Sequence, residues 1–182
     1  MEDPRGGVRN VIPHSADYLV SGKPSGNTQA LVTGGTDPLL PHLIHHLAES
    51  VSADFAVAFT LRSGLDLLSP HLQDLLDRKG ALRVLTGDYL GATDPDALLR
   101  LLDLNGNVEC RVFESGWTNK QEPPSSSFHP KAYIFRRRDG SSAAFVGSSN
   151  LSETGLTRGI EWNYRALDSK RSRGHRRGDR RF

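Results

Sequence analysis

The sequence predicts an α/β fold in which a mostly parallel sheet is flanked by helices. Between residues 30 and 113, apolar runs of strand length alternate with longer segments in which leucine recurs every three or four residues. Strands and helices that alternate at this spacing are typical of right-handed crossovers between parallel strands. The chain has 182 residues, which is enough for one domain with its own hydrophobic core.

Four strands are predicted in this region from their apolar runs. The segment 53–61 is almost unbroken in its apolar character, which indicates a buried strand. The shorter runs 30–33, 82–86 and 108–113 are interpreted as the other three strands.

Three helices are predicted from their start signals, each of which places a capping side chain before a proline. The first helix continues to about Glu49, the second is closed by Lys79-Gly80, and the third stops at Asn105-Gly106. The three start signals are Thr36-Asp37-Pro38, Ser69-Pro70 and Asp94-Pro95.

The charge distribution divides the chain into a body and a tail. Residues 169–182 contain seven Lys or Arg and one acid, and the remaining 168 residues contain 16 basic and 20 acidic residues. The whole chain therefore carries a net charge of +2, whereas the body alone is mildly acidic at −4. We expect an irregular arm at 1–28, one domain at 29–168 and a disordered basic tail at 169–182. The tail either adds nonspecific affinity for nucleic acid or has no role.

The cysteine count and the lengths of the apolar runs exclude several classes of protein. Cys110 is the only cysteine, which excludes an internal disulfide and a thiolate zinc site. No apolar run approaches the roughly 20 residues of a membrane helix, and the N-terminus lacks the apolar core of a secretion signal. A cytoplasmic location without membrane attachment is expected, and no cofactor or metal is predicted.

Three histidines lie on the first predicted helix. His42 and His46 are four residues apart, a spacing that can bind zinc, and His45 lies between them. No acidic motif accompanies them, so we interpret them as solvated histidines on the outer face of the helix.

Four polar residues in the segment 128–163 are the candidate site. His129 and Lys131 begin the apolar run 132–135, and their side chains share one face if that run is a strand. Asn150 ends the turn that follows a second apolar run, and Glu161 comes eleven residues later. An imidazole, an ammonium, a carboxamide and a carboxylate brought together by strands are suited to binding a phosphate. Each residue alone is ordinary: the first two as solvated side chains, Asn150 as part of a turn, and Glu161 as a partner of a nearby arginine.

The spacing of these residues resembles the phospholipase D superfamily. The sequence HPK, then GSSN, then a glutamate is similar to the HxK and GSxN motifs with their downstream acid. Within the superfamily the chain most resembles the small metal-independent nucleases and the phospholipase D-like modules that precede DEAD/DEAH-box helicases. These motifs cover about a fifth of the chain, and they imply a phospholipase D-like fold with one HxK motif per chain.

The resemblance also implies a mechanism. His129 would attack phosphorus to give a phosphohistidine, and Glu161 would hold the other ring nitrogen. Lys131 and Asn150, with Ser148 as a weaker candidate, would bind the phosphate oxygens without a metal ion. The mechanism needs a second histidine, which single-motif chains of this family obtain by pairing, so a homodimer with a shared site is expected. Nucleic acid, with DNA favoured, is the expected substrate, and a helicase or restriction domain is an expected partner.

One position departs from the family pattern, and it bears on the alternatives. The aspartate expected five residues after Lys131 is replaced by Arg136, which favours nucleases over lipid hydrolases. The cluster 136–138 is interpreted either as a contact to the phosphate backbone or as a solvated turn. The alternative functions are a silent module for DNA binding or dimerisation and, less favoured, a phospholipase or phosphatidyltransferase.

Overall fold

The computed structural model describes residues 31–88, 91–114 and 127–168, so the predicted arm and basic tail lie outside it. The helices are α1 (Leu39–Glu49), α2 (Arg62–Asp77), α3 (Pro95–Leu102) and α4 (Glu153–Leu156). The strands are β1 (Leu31–Val32), β2 (Ser50–Val57), β3 (Ala81–Gly87), β4 (Asn107–Phe113), β5 (Lys131–Arg137), β6 (Ser142–Gly147) and β7 (Asn163–Asp168). The α/β class is thereby confirmed.

The strands form one mixed sheet in the order β1-β7-β6-β5-β2-β3-β4. The predicted crossovers are present, since β2, β3 and β4 run parallel. The prediction of a mostly parallel sheet is wrong, because the other four pairings are antiparallel. For β5 and β6 the reason is the turn 138–141 between them, closed by a hydrogen bond from the Arg137 amide to the Ser141 carbonyl. So short a connection joins only antiparallel strands.

The described helices pack against one face of this sheet. The core between them is a single cluster in which leucines of α1, α2 and α3 meet alternate residues of the strands. The largest fully buried side chains on the sheet side are Phe55, Tyr133, Phe135 and Phe145. Burial of these rings and leucines supplies the main stabilising free energy of the fold.

The opposite face of the sheet is not covered by the described helices. One row of cross-strand neighbours on this face is apolar over six strands, consisting of Leu31, Tyr164, Val146, Ala132, Ala56 and Leu85. Beside it Asp54 is held by Arg83 at 2.7 and 2.9 Å and also by Arg136. These two arginines hold the pKa of the Asp54 carboxyl below its usual value, Arg83 more strongly. We call this surface the open face.

Two predicted boundaries differ from the structure. Helix α2 begins at Arg62, seven residues before the predicted start at Ser69, and Pro70 lies inside it. The end of α2 is as predicted, with Lys79 in the left-handed conformation and the Gly80 amide bonded to the Leu75 carbonyl. Strand β2 ends at Val57, and residues 58–61 connect it to α2.

Of the other two predicted helix starts, the one at α3 has the expected side-chain cap and the one at α1 does not. At α3 the prediction is confirmed, since the Asp94 side chain accepts a hydrogen bond from the Asp96 amide at 2.9 Å. At α1 no side chain caps the helix, and Pro38 precedes it. The Asp37 carboxylate instead contacts His42 Nε2 at 2.8 Å.

The prediction of solvated histidines on α1 is wrong for two of the three. His42 and His46 are buried, and only His45 is exposed. The rings of His42 and His46 lie against Phe145, and His46 also stacks on Phe135. Burial, followed by the charge of Arg137, lowers the pKa of His46 to about 4. The two histidines are therefore part of the packing between α1 and the sheet.

Candidate phosphate site

The candidate residues meet at one edge of the sheet. Strand β2 ends at Val57 opposite Lys131, the first residue of β5. Strand β6 ends at Gly147 opposite Asn163, the first residue of β7. Because β5 and β6 are neighbours in the sheet, the predicted His129, Lys131, Ser148, Asn150 and Glu161 all belong to segments at or next to this edge.

His129 and Lys131 are in direct contact. Lys131 Nζ lies 3.3 Å from His129 Nδ1 and donates to the His129 carbonyl at 3.1 Å. The chain before them is anchored by Phe128, whose ring stacks on Phe113 at the end of β4 with centroids 5.1 Å apart. The imidazole is exposed and the ammonium is half-buried, so a ligand at this edge has access to both groups.

Glu161 is held at the same edge by Ser148. The Ser148 hydroxyl donates to Glu161 Oε2 and accepts from the Trp162 amide at 3.0 Å. The Ser148 amide in turn donates to the Trp162 carbonyl at 3.0 Å. The carboxylate is therefore fixed by the turn that follows β6 rather than being a free end of the loop.

The charges at this edge influence one another. Burial lowers the pKa of Lys131, and the nearby Glu161 carboxylate partly offsets that effect. Burial raises the pKa of Tyr133, and the same carboxylate raises it further. Tyr133 lies two residues after Lys131 in β5, so the two side chains are on the same face of the strand. The Glu161 carboxylate is therefore near enough to Lys131 and Tyr133 to act on both side chains.

The Asn150 carboxamide connects the turn to the end of β2. Asn150 Oδ1 accepts a hydrogen bond from the Phe59 amide at 3.3 Å, and the Leu61 amide donates to the Leu151 carbonyl at 2.8 Å. These bonds tie the turn after β6 to the connection between β2 and α2.

Two buried residues that the sequence did not suggest support this turn. The Tyr133 hydroxyl donates to the Ser149 carbonyl at 3.1 Å, and Asn163 Nδ2 donates to Ser149 Oγ at 2.9 Å. Both side chains are buried, at 0% and 1% exposure. The sequence marks neither residue, since Asn163 is simply the first residue of β7 and Tyr133 is an aromatic residue within β5.

Gly34 braces the segment that carries Glu161. It adopts a left-handed conformation with φ 71°, and a Cβ atom there would lie 2.1 Å from the Gly159 carbonyl oxygen and 2.8 Å from the Glu161 nitrogen. Only glycine allows the two backbones to approach so closely. The turn after β1 therefore contributes to the position of Glu161.

Comparison with solved structures identifies the fold. NucT from Helicobacter pylori matches 72% of this chain and 77% of its own chain, with a TM-score of 0.54 and 16% sequence identity. The chain has a phospholipase D-like fold. A mutant of yeast tyrosyl-DNA phosphodiesterase 1 also matches, with a TM-score of 0.43, 15% identity and 64% of this chain covered. The match spans about a quarter of the yeast chain, at 25%. No protein-family model and no curated protein matches the sequence.

The position that departs from the superfamily pattern lies far from the site in this phospholipase D-like fold. Arg136 is five residues along β5 from Lys131, which corresponds to about 17 Å. It is bonded to Asp54, and Arg137 is bonded to Glu49 at 2.8 Å. Both arginines are thus engaged in ion pairs at the far end of the strand, away from His129.

The described residues contain neither a metal-binding cluster nor a helix suited to a membrane. In residues 31–88, 91–114 and 127–168, no group of three or more His, Cys, Asp or Glu side chains is placed to hold a metal ion. Within the same part of the chain, no helix is long and apolar enough to cross a membrane.

Proposed function

We propose that this chain is a metal-independent phosphodiesterase, and that its substrate is DNA. The observation that supports this most directly is the contact of the Lys131 ammonium with the His129 imidazole, beside a carboxylate fixed by Ser148. A nucleophile, a cation and an acid-base partner at one accessible edge are the groups that phosphoryl transfer needs. The phospholipase D-like fold is compatible with this chemistry, although a fold alone does not determine function.

His129 is the proposed nucleophile. Its imidazole nitrogen would form a bond to phosphorus while the bond from phosphorus to the leaving oxygen breaks, giving a phosphohistidine. Water would then attack phosphorus and release His129 and the second product. Division of one displacement into two steps lowers the barrier of each.

Lys131, Asn150 and Glu161 are the proposed supporting groups. A phosphate oxygen would compete with His129 Nδ1 for the Lys131 ammonium, which lies only 3.3 Å away. Withdrawal of the ammonium would leave that ring nitrogen for Glu161, which would stabilise the cationic imidazole as a triad carboxylate does. Asn150, with Ser148 as a weaker candidate, would bind further phosphate oxygens.

The reaction also needs an acid to protonate the leaving oxygen. The sequence has one HxK motif, so we propose that a second copy of the chain supplies its own His129 at a shared site. A closed two-fold dimer is the commonest soluble assembly. A helicase or restriction domain is the proposed partner that brings the site to DNA.

The test is cleavage of labelled single- and double-stranded DNA in excess EDTA by the wild type, His129→Ala and His45→Ala. His45 is an exposed histidine on α1 and serves as the matched control. We expect EDTA-resistant cleavage by the wild type and the control, and none by His129→Ala. Cleavage abolished by EDTA would contradict the proposal. Equal DNA binding by all three proteins with cleavage by none would indicate a binding module.

A further inference from the structure

His42 connects the two segments that hold Glu161. Its Nε2 lies 2.8 Å from Asp37 Oδ1 on one side, and its ring lies against Phe145 on the other, with ring centroids 5.9 Å apart. Asp37 belongs to the turn after β1, and Phe145 belongs to β6. The turn approaches the Glu161 backbone, and β6 leads to Ser148, which donates to the Glu161 carboxylate.

On the side of the turn, the chain of contacts from His42 to Glu161 is short. The Asp37 carboxylate holds His42, and Asp37 exchanges two backbone hydrogen bonds of 3.0 Å with Gly34. Gly34 lies so close to Gly159 and Glu161 that a Cβ atom there would overlap both backbones. A shift of Asp37 relative to α1 would therefore move the turn against the Glu161 backbone.

The contact between Asp37 and His42 is buried on the histidine side. The His42 side chain is 10% exposed, whereas that of Asp37 is 37% exposed. A carboxylate only accepts hydrogen bonds, so Nε2 is the ring nitrogen that donates. His42 Nδ1 is buried and has no hydrogen-bond partner within residues 31–88, 91–114 and 127–168. The bond to Asp37 therefore fixes the orientation of the ring.

We infer that Asp37 and His42 are positioning residues that hold Glu161 in place for the proposed reaction. This inference rests on the proposed function, in which Glu161 stabilises the cationic imidazole of His129. A carboxylate that stabilises charge in a transition state must be held at a fixed position, because a displacement of about 1 Å costs on the order of 100-fold in rate. Neither Asp37 nor His42 needs to touch the substrate for this role.

The first test is DNA cleavage in excess EDTA by Asp37→Ala, which removes the acceptor, and by Asp37→Asn, which keeps it. We expect Asp37→Ala to lower kcat on the order of tenfold and to leave KM within about twofold, because Lys131 and Asn150 bind the phosphate from other segments. Asp37→Asn should keep the wild-type kcat, since its carboxamide oxygen accepts the same bond. Asp74→Ala is the matched control, because Asp74 forms an ion pair with Arg78 at the C-terminal end of α2. This control should also keep the wild-type kcat.

His42→Phe breaks the same contact from the other side. Phenylalanine keeps an aromatic ring against Phe145 but has no hydrogen-bond donor. We expect the same fall in kcat as in Asp37→Ala, and the double variant should lose no more than either single variant, because both remove one interaction. Circular dichroism of each variant establishes that a change in kcat does not come from unfolding.

The second test follows the position of Glu161 without measuring cleavage. Burial lowers the pKa of Lys131 and the Glu161 carboxylate partly offsets that effect, so displacement of Glu161 should shift the titration of Lys131 to lower pH. Carbon-13 NMR of the lysine side chains follows this titration, and the Lys131 signal is assigned by its loss in Lys131→Arg. We expect Asp37→Ala to shift the titration in the same direction as Glu161→Gln. Asp37→Asn and Asp74→Ala should not shift it.

The two tests separate the inference from the proposed function. A shifted Lys131 titration in Asp37→Ala, with a lower kcat that Asp37→Asn restores, would support both. The same shift with no cleavage by the wild type would support the positioning of Glu161 and contradict the proposed function. An unchanged Lys131 titration in Asp37→Ala would overturn the inference alone. An equal loss of kcat in Asp37→Asn or in Asp74→Ala would overturn it as well, because the loss would not come from the bond to His42.

Discussion

At the scale of single residues, the adjacent glycines Gly34 and Gly35 allow two effects of a substitution to be measured separately. One effect is backbone strain, and the other is a collision with a neighbouring segment. Gly34 and Gly35 both adopt the left-handed conformation, with φ 71° and 58°. A Cβ at Gly34 would meet the Gly159 carbonyl and the Glu161 nitrogen, whereas a Cβ at Gly35 would have nothing within 4 Å. A substitution by alanine therefore introduces similar strain at both positions but a collision at only one.

We expect Gly34→Ala to impair the site and Gly35→Ala to leave it intact. The left-handed conformation costs alanine about 1 kcal/mol of stability in both variants. At position 34 the collision must also displace the segment that carries Glu161, so we expect at least a tenfold lower kcat/KM for DNA cleavage. Thermal melts and cleavage rates of the two variants test this. Equal rates would show that the position of Glu161 does not depend on the turn after β1.

The same scale shows why some candidate residues could be picked out from the sequence and others could not. His129, Lys131, Asn150 and Glu161 stand at recognisable spacing in a short segment. Gly34 lies between 95 and 127 residues before them in the sequence, and its role depends on a contact that only the folded chain creates. Tyr133 resembles any aromatic residue of a buried strand until its hydroxyl is seen to hold the Ser149 carbonyl.

At the scale of secondary structure, tertiary packing explains the two predictions on helices that were wrong. Ser69-Pro70 resembles a helix start, but Leu65 and Leu68 are fully buried and extend the apolar stripe of α2 toward its N-terminus. Pro70 is tolerated inside the helix on its solvent side, where water can reach the carbonyl that the proline leaves unbonded. On α1, His42 and His46 lie on the same buried face as the leucines. Their rings pack against aromatic residues of β5 and β6, which the sequence of α1 alone does not reveal.

The packing of α1 on the sheet should therefore depend on pH through His46. Its ring accepts a hydrogen bond from Arg137 at 2.9 Å, and its pKa is about 4 in the fold against 6.5 in an unfolded chain. The unfolded chain takes up a proton below about pH 6.5, and the folded chain does not until about pH 4. The stabilising contribution of the neutral ring is thus complete above pH 6.5 and is lost progressively as the pH falls toward 4.

We expect His46→Gln to lose less stability than the wild type over this range, by on the order of 1–2 kcal/mol after solvent screening is allowed for. Glutamine keeps an acceptor for Arg137 but does not titrate. Urea unfolding at pH 7 and pH 4.5 measures the difference. His45→Gln removes a smaller contribution to the lowered pKa of His46 than burial or Arg137 makes, so this variant should retain most of the dependence of the wild type. If the wild type and His46→Gln lost the same free energy of unfolding between pH 7 and pH 4.5, the dependence would not come from His46.

At the scale of the whole molecule, positive charge is concentrated in residues 169–182, whereas the rest of the chain, which carries the candidate site, is mildly acidic. The described part of the chain places its candidate catalytic groups at one edge of the sheet, and many of its other arginines are engaged in ion pairs. The first 168 residues carry a net charge of −4, which opposes the approach of DNA. The seven Lys or Arg of residues 169–182 are the densest run of positive charge in the sequence, and we expect them to attract phosphate groups over longer distances.

Removal of residues 169–182 should weaken DNA binding without changing the chemical step. Each phosphate that the tail neutralises adds about 0.9 to the slope of log K against log salt for duplex DNA. With six net positive charges removed, we expect a smaller slope, a higher KM at low salt and an unchanged kcat. Titrations and cleavage rates of the full and shortened chains from low to physiological salt test this. If both chains showed the same slope, the tail would have no role in binding, and contact with DNA would depend on the groups at the sheet edge alone.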